Sequence, residues 1–211
     1  HRLFRRQRQM CIRDRMFSAY RELFRQNTGL ISKLTDRVAD LDVFSGFAEL
    51  AIERDYVRPS FVGSTDKIEL IKAKHPVLEQ DLGVSFVAND MILDPAACVL
   101  LTGPNMAGKS TIMRQLALLS ITAQVGCFVP AQSAKMRVFE QIFTRIGASD
   151  SLSEGLSTFM VEMKETAEII EALCPNSLVL MDEVGRGTST YDGMSLAQAI
   201  LEHLLKETKA P

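Results

Sequence analysis

The spacing of hydrophobic residues divides the chain into two parts. Between residues 16 and 56, apolar side chains recur every three or four positions, which indicates amphipathic helix. Gly46 and the acidic residues at positions 40 and 42 predict a break into two helices, and Pro59 ends the second. Such a pair cannot bury its apolar stripe alone, so we expect it to pack on the rest of the chain or on another domain. The stripe consists of Tyr20, Leu23, Leu30, Leu34, Val38, Leu41, Phe47, Leu50 and Ala51.

After Pro59, short runs rich in β-branched and aromatic residues alternate with helical patterns. Strands are predicted at residues 67–73, 84–88, 98–102, 138–146 and 177–181. Helices are predicted at residues 109–125, 158–173 and 193–206. Strands interleaved with helices are typical of an α/β fold with a largely parallel central sheet.

Length and composition indicate a globular protein. With 211 residues and 46% hydrophobic content, the chain can bury one main core with an appendage. No apolar run approaches the ~20 residues of a membrane helix, and the first residues do not resemble a signal peptide. The cysteines have neither the spacing of a zinc site nor the density of a disulfide framework, so we predict reduced thiols in a cytosolic protein. They are Cys11, Cys98, Cys127 and Cys174.

Charge is distributed unevenly along the chain. Residues 1–15 contain six arginines and one aspartate and carry +5, whereas the whole chain carries −2, so the remainder carries −7. The unusual composition of residues 1–15 favours a cloning or assembly artefact or a disordered tail, and the alternative is a basic arm for nucleic acid. Because an acidic body is a poor match for DNA phosphates, any DNA contact is expected mostly outside this chain.

The first candidate site is a glycine-rich loop between a predicted strand and a predicted helix. Its sequence, Gly103-Pro-Asn-Met-Ala-Gly-Lys-Ser110, has the pattern of a phosphate-binding loop. Gly103 and Gly108 permit backbone angles that let successive N–H groups surround phosphate oxygens at a helix N-terminus. Lys109 supplies positive charge to the β- and γ-phosphates, and the Ser110 hydroxyl is suited to Mg²⁺. The alternative is a glycine turn with an incidental lysine, which the flanking strand and helix disfavour.

The second candidate site is a pair of acids, Asp182 and Glu183, directly after the predicted strand at 177–181. Carboxylates cannot point into an apolar core without a partner, so they belong at the carboxyl end of the strand, where open α/β sheets bind ligands. Together with a phosphate loop, the pair predicts that Asp182 holds Mg²⁺, usually through water, and that Glu183 orients and polarises the attacking water as general base. Taken alone, it would be a solvated strand end.

Three further segments carry a resemblance to a known family. They are Phe128-Val-Pro-Ala-Gln132, Ser157-Thr-Phe-Met-Val-Glu-Met163 and Val184-Gly-Arg-Gly-Thr-Ser-Thr-Tyr-Asp-Gly193. The second alone would fit an ordinary capped helix. Together with the phosphate loop through Thr111, they resemble the MutS family of DNA mismatch repair ATPases, from about Met16 to the last residue. The resemblance implies an α/β P-loop NTPase of the ABC type with a central, largely parallel sheet, preceded by a helical lever segment.

The resemblance also implies roles for individual residues. Glu183 and Lys109 would act in ATP hydrolysis, together with Ser157, which would reach in trans to the nucleotide of a partner subunit. Phe86 would stack on adenine, with a core aromatic as the alternative. The remaining nucleotide contacts would come from the phosphate loop, and Ser110 and Asp182 would hold the metal. The loop residues are Gly103, Pro104, Asn105, Met106, Ala107, Gly108, Lys109, Ser110 and Thr111.

The expected organisation has three parts. Residues 1–15 are the artefact or disordered tail, residues 16–58 the helical lever, and residues 59–211 the ATPase domain, truncated at its C-terminus. By the resemblance, the chain is a fragment, because the mismatch-recognition, connector and clamp regions, the strand with the switch histidine and the dimerisation element lie outside it. His75 also fits the family pattern, but a buried or capping histidine is the preferred interpretation.

The resemblance implies ATP and Mg²⁺ as cofactors and a homodimer formed through the ATPase domains. Nucleotide state would be coupled to a clamp on mismatched duplex DNA, which binds through regions outside this chain. A MutL-type protein would act downstream, in a bacterial cytoplasm and near the nucleoid, without membrane contact. The alternatives are a MutS paralogue or other DNA-linked ABC ATPase that does not act on mismatches, and a catalytically idle module that signals by dimerising.

Overall fold

The computed structural model describes residues 2–82, 85–95, 98–104, 107–146 and 158–207. The chain forms two compact units, His1–Glu49 and Leu50–Pro211. The first consists of helix α1, Arg2–Arg54, whose last turn belongs to the second. The helix is continuous, so the break predicted near Gly46 is wrong. A single glycine inside a helix costs only about 1 kcal/mol, which the many flanking helical residues offset.

Four strands of the second unit form a mixed sheet in the order β1-β4-β2-β3. The central strand β2 is antiparallel to both of its neighbours, and only the edge strand β1 runs parallel to β4. A short helix, α2, follows β2 in the chain. The bounds are β1 Ser60–Val62, β2 Ile68–Ala73, α2 Leu78–Leu82, β3 Asn89–Leu93 and β4 Ser133–Arg137.

Two further strands, β5 and β6, pair in parallel as a separate sheet. Their register runs from Gln141 opposite Ser177 to Arg145 opposite Met181, so both strands end at the same edge. Asp182 is therefore the first residue beyond that edge. The bounds are α3 Lys109–Gln124, β5 Gln141–Arg145, α4 Thr158–Ala172, β6 Ser177–Met181 and α5 Thr190–Glu207.

The expected fold, an α/β P-loop NTPase of the ABC type with a central, largely parallel sheet, is wrong for this chain. The described strands form two small sheets, and the larger one is mostly antiparallel. Residues 98–104, where a strand was predicted to lead into the phosphate loop, contain no strand, and Val99 and Leu100 are exposed. Strand periodicity predicts which faces are buried, but it carries no information about which strands pair or in which direction.

The single elements were predicted with mixed success. The strand predicted at 177–181 is confirmed as β6, and those predicted at 67–73 and 138–146 contain β2 and β5. The strand predicted at 84–88 is wrong for its described residues 85–88, because pairing with β2 begins at Asn89 instead. Strand β4 was not predicted, because only two of its five residues, Ala134 and Met136, are apolar and buried.

The core of the second unit lies where α3 packs against both sheets. Leu116 and Leu119 of α3 belong to one buried cluster with Leu70 of β2, Met136 of β4 and Leu180 of β6. The helix residues lie on one face because they are three apart. This shared core fixes the start of α3 relative to the end of β6.

None of the helices in the described part of the chain combines the length and the apolar character that a membrane span requires. The cysteines in that part are all free. Cys127 is buried, and burial raises the pKa of its thiol.

His75 is buried between β2 and α2, which confirms the prediction of a buried or capping histidine. Its Nδ1 atom accepts hydrogen bonds from the backbone N–H groups of Val77 and Leu78, both at 3.3 Å. Burial, and secondarily the positive charge of Arg114, lowers the pKa of His75 from its ordinary value of 6.5. Only the neutral ring can accept these two bonds.

We expect the free energy of unfolding to decrease as pH falls from about 7.5 to 5.5. Well above pH 6.5, His75 is neutral in both states. As pH falls through 6.5, the unfolded form binds a proton that the folded form resists, so stability is lost until pH reaches the lowered folded pKa. His75→Asn keeps a side-chain oxygen that accepts from nearby backbone N–H groups but does not titrate. Urea unfolding at both pH values should show a smaller decrease for His75→Asn. Equal decreases would contradict this role for His75.

Candidate functional site

The phosphate loop lies directly before α3. Gly108 caps the helix in the left-handed conformation, with φ 89° and ψ 9°, and Gly103 has φ 149°. A side chain at either position would strain the backbone, which explains the two glycines of the motif. Within the loop, the Ala107 N–H donates to the Pro104 carbonyl at 3.3 Å. Asn105 and Met106, also predicted to contact nucleotide, lie outside the described residues.

Lys109, the first residue of α3, folds back over the loop. Its Nζ atom donates to the carbonyl oxygens of Gly103 at 2.7 Å and Pro104 at 2.8 Å. The ammonium group thus lies beside the N-terminus of α3, where the helix dipole adds further positive potential. An anion that approaches the loop would meet both, and phosphate oxygens could replace the two carbonyl acceptors.

Ser110, the next residue, contacts the second predicted site. Its hydroxyl donates a short hydrogen bond to Oδ2 of Asp182, a residue 72 positions later in the chain. The structure therefore brings together two residues that the sequence analysis assigned to one metal. Asp182 is held by its backbone too, because its N–H donates to the Arg145 carbonyl at 2.8 Å.

The paired oxygens of Ser110 and Asp182 fit a magnesium ion. Mg²⁺ prefers oxygen ligands and is usually bound by one or two protein groups together with phosphates and waters. A hydroxyl and a carboxylate at the mouth of a phosphate loop provide that donor set. Among the described residues, no group of three or more His, Cys, Asp or Glu side chains forms an all-protein metal site.

Glu183, the predicted general base, has an unusual backbone and an exposed side chain. Its φ is 52°, in the left-handed region that non-glycine residues seldom adopt. Its side chain is 47% exposed, and Oε2 accepts a short hydrogen bond from Arg186. The carboxylate is therefore accessible to water but engaged by an arginine.

The loop that follows Glu183 contacts two helices closely at its glycines. Gly185 has φ 81°, and a Cβ there would lie 2.6 Å from the carbonyl oxygen of Gly193 in α5. A Cβ at Gly187 would lie 2.8 Å from Cβ of Phe159 in α4. We call residues 182–189 the acid loop; its glycines are required because the helices leave no space for side chains.

A buried ion pair that the sequence analysis missed lies behind the acid loop. Glu162 of α4 is 3% exposed; its Oε1 atom accepts from the Gly185 N–H at 2.6 Å and lies 3.6 Å from Arg145 NH1. Arg145 also donates to the Asp182 carbonyl at 3.1 Å. Helical spacing could have revealed Glu162, because it shares the buried face of α4 with Thr166 and Ile169.

The positions of three other predicted site residues do not test their roles. Phe86 is half-buried shortly before β3, and its stacking on adenine stays a prediction. Thr111 is half-buried in the first turn of α3. Ser157 lies outside the described residues, immediately before α4.

Comparison with known proteins identifies the family. A family model described as MutS domain V matches residues 99–211, which include the phosphate loop, the acid loop and Glu162. The chain belongs to the MutS domain V family. This confirms the resemblance that the motifs indicated.

Several bacterial proteins that are similar to this chain carry the name DNA mismatch repair protein MutS. The chain is 52% identical over 191 residues to the protein of Lactobacillus delbrueckii subsp. bulgaricus, covering 90% of this chain and 22% of the relative. It is 51% identical over 192 residues to that of Geobacillus kaustophilus, with 90% and 21% covered. It is 49% identical over 198 residues to that of Caldicellulosiruptor bescii, with 92% and 23% covered. The chain thus spans about a fifth of the length of these MutS proteins.

Gly193→Ala tests the close contact between α5 and the acid loop. Alanine favours helix over glycine by about 1 kcal/mol, but its Cβ would overlap the Gly185 carbonyl oxygen. We expect a net loss of about 1–3 kcal/mol in the free energy of unfolding, measured with urea. Ser195→Ala, on an exposed position of the same helix, is the control and should change it by less than about 0.5 kcal/mol. A stabilised Gly193→Ala protein would disprove the close contact.

Proposed function

We propose that this chain binds ATP with Mg²⁺ and hydrolyses it, as the nucleotide-handling part of a DNA mismatch repair protein. The observation that carries the proposal is the hydrogen bond between Ser110 and Asp182, because it joins the phosphate loop to the acidic strand end. The match to MutS domain V and the names of the MutS relatives support it independently. The paralogue alternative has no observation in its favour.

Phosphate binding is assigned to the loop and to Lys109. On binding, the Lys109 ammonium exchanges the Gly103 and Pro104 carbonyls for phosphate oxygens, and the first N–H groups of α3 donate to the same anion. Since Lys109 lies near its binding position before nucleotide arrives, little side-chain ordering is needed.

Metal binding is assigned to Ser110 and Asp182. When bound, Mg²⁺ would neutralise charge on the phosphate oxygens that develops as the terminal phosphate leaves. The Ser110 hydroxyl and the Asp182 carboxylate would hold the ion in place of the hydrogen bond that now joins them.

Water activation is assigned to Glu183. Its carboxylate accepts a proton from the attacking water, and its exposed position gives water access. To do so it must exchange its Arg186 partner for the water. An exposed ion pair contributes only about 0–1 kcal/mol, so this exchange is energetically small.

The wider assembly follows the family resemblance. We propose that two copies form a homodimer in which Ser157 of each acts in trans on the nucleotide of the other, and Phe86 stacks on adenine. In the complete protein, nucleotide state would control a clamp on mismatched DNA and a MutL-type partner in the bacterial cytoplasm.

Substitutions of Lys109 and Glu183 separate binding from hydrolysis. Lys109→Ala removes charged hydrogen bonds worth about 1.5–3 kcal/mol, so ATP affinity should fall about 10- to 100-fold. Glu183→Gln keeps size and should retain affinity, while turnover falls about 10²- to 10⁴-fold. A fluorescent ATP analogue measures affinity, and phosphate release measures turnover.

Lys135→Ala is the matched control for loss of a lysine. Its exposed ion pair with Glu69 lies on the mixed sheet, so both affinity and turnover should match the wild type. Wild-type protein that is folded but binds no ATP, or a Lys109→Ala variant that binds it normally, would refute the proposed function.

A mixing experiment tests the action of Ser157 in trans. Ser157→Ala and Lys109→Ala proteins should each be nearly inactive alone. Mixed dimers contain one site with both residues intact, since the Lys109 of one subunit faces the Ser157 of the other. We expect phosphate release to reappear on mixing and to rise with protein concentration. If the mixture is no more active than its components, Ser157 does not act across a dimer.

A further inference from the structure

The buried carboxylate of Glu162 has no assigned role in the proposed reaction. It is 3% exposed, on the buried face of α4 that it shares with Thr166 and Ile169. A charge is retained in such a place only when partners compensate for the lost water. Its partners, the Arg145 guanidinium and the Gly185 N–H, both connect to the acid loop.

Arg145 and Glu162 hold the backbone of the acid loop on both sides of Glu183. On the N-terminal side, Arg145 donates to the Asp182 carbonyl at 3.1 Å. On the C-terminal side, Glu162 accepts directly from the Gly185 N–H at 2.6 Å. Glu183 lies between these fixed points with its φ at 52°, a conformation that needs support from its surroundings.

The Glu183 side chain has no comparable support. It is half-exposed, and its partner Arg186 is 74% exposed. The direction of the Glu183 carboxylate is therefore set by the backbone of the acid loop, which the buried pair and the packed glycines hold.

We propose that Glu162 is a positioning residue for Glu183, acting through Arg145 and the Gly185 amide; this rests on the proposed ATPase function. Glu162 lies in α4, four residues after the first residue of that helix, Thr158.

The test is Glu162→Gln, which has nearly the same shape and keeps an acceptor for the Gly185 N–H but removes the charge. We expect ATP affinity to stay within about twofold and the single-turnover hydrolysis rate at saturating ATP to fall at least about tenfold. NMR of the Gly185 amide gives a direct readout, because a short bond to a carboxylate shifts the proton strongly downfield. In Glu162→Gln that signal should move upfield and exchange faster with solvent.

Two further variants distinguish positioning from general stabilisation. Glu171→Gln makes the same change on an exposed position of α4, so hydrolysis and the Gly185 signal should both match the wild type. Glu162→Asp keeps the charge on a shorter side chain and should recover part of the hydrolysis rate lost in Glu162→Gln.

The outcomes separate this inference from the function on which it rests. Unchanged hydrolysis and an unchanged Gly185 amide in folded Glu162→Gln would overturn it. A variant that loses ATP affinity in proportion to its hydrolysis rate would also overturn it, since Glu162 would then support the fold as a whole. Wild-type protein that fails to bind or hydrolyse ATP would overturn the proposed function instead, while the Gly185 signal would still report the Glu162 contact.

Discussion

The hydrogen bond between Ser110 and Asp182 joins segments that are 72 residues apart, and its position depends on the hydrophobic core beneath it. Leu180 lies in β6, two residues before Asp182, which directly follows the end of the strand. Leu180 packs in the cluster that contains Leu116 and Leu119 of α3, and Asp182 reaches the first turn of that helix. A shift of β6 by one residue would turn Leu180 away from the core and Asp182 away from Ser110. Core packing thus sets the register that the polar contact requires.

The acid loop combines a fixed backbone with a side chain that can change partners. Its backbone is held sterically by Gly193 and Phe159 and electrostatically by Glu162. The left-handed conformation of Glu183 costs about 1–2 kcal/mol, which these surroundings must offset. Among the described residues, its carboxylate has only the exposed Arg186 as partner. This division suits a general base, which must be directed accurately but must also release one partner to engage water.

Local features of this chain could be predicted from its sequence better than the pairing between distant strands. The phosphate loop and the acid pair are defined by residues close in sequence, and the meeting of Ser110 with Asp182 followed from their shared suitability for Mg²⁺. The helix starts at Lys109 and Thr158 were also correct. The prediction of a largely parallel sheet was wrong, because strand pairing depends on contacts between distant residues. Strands β2 and β4, for example, pair although their partnered residues are more than 60 positions apart in the sequence. Hydrophobic periodicity is a local pattern and does not indicate which distant strands pair.

Glu162 shows how an unpredicted residue of a site could be found from sequence. Residues 162, 166 and 169 are spaced to share one face of α4, and Ile169 marks that face as buried. A carboxylate on it requires a cation or backbone donors, because an isolated buried charge would be strongly unfavourable. Arg145, at the end of a predicted strand, was an available partner. Charged residues at positions that periodicity assigns to the core therefore indicate where distant segments meet, which periodicity alone does not predict.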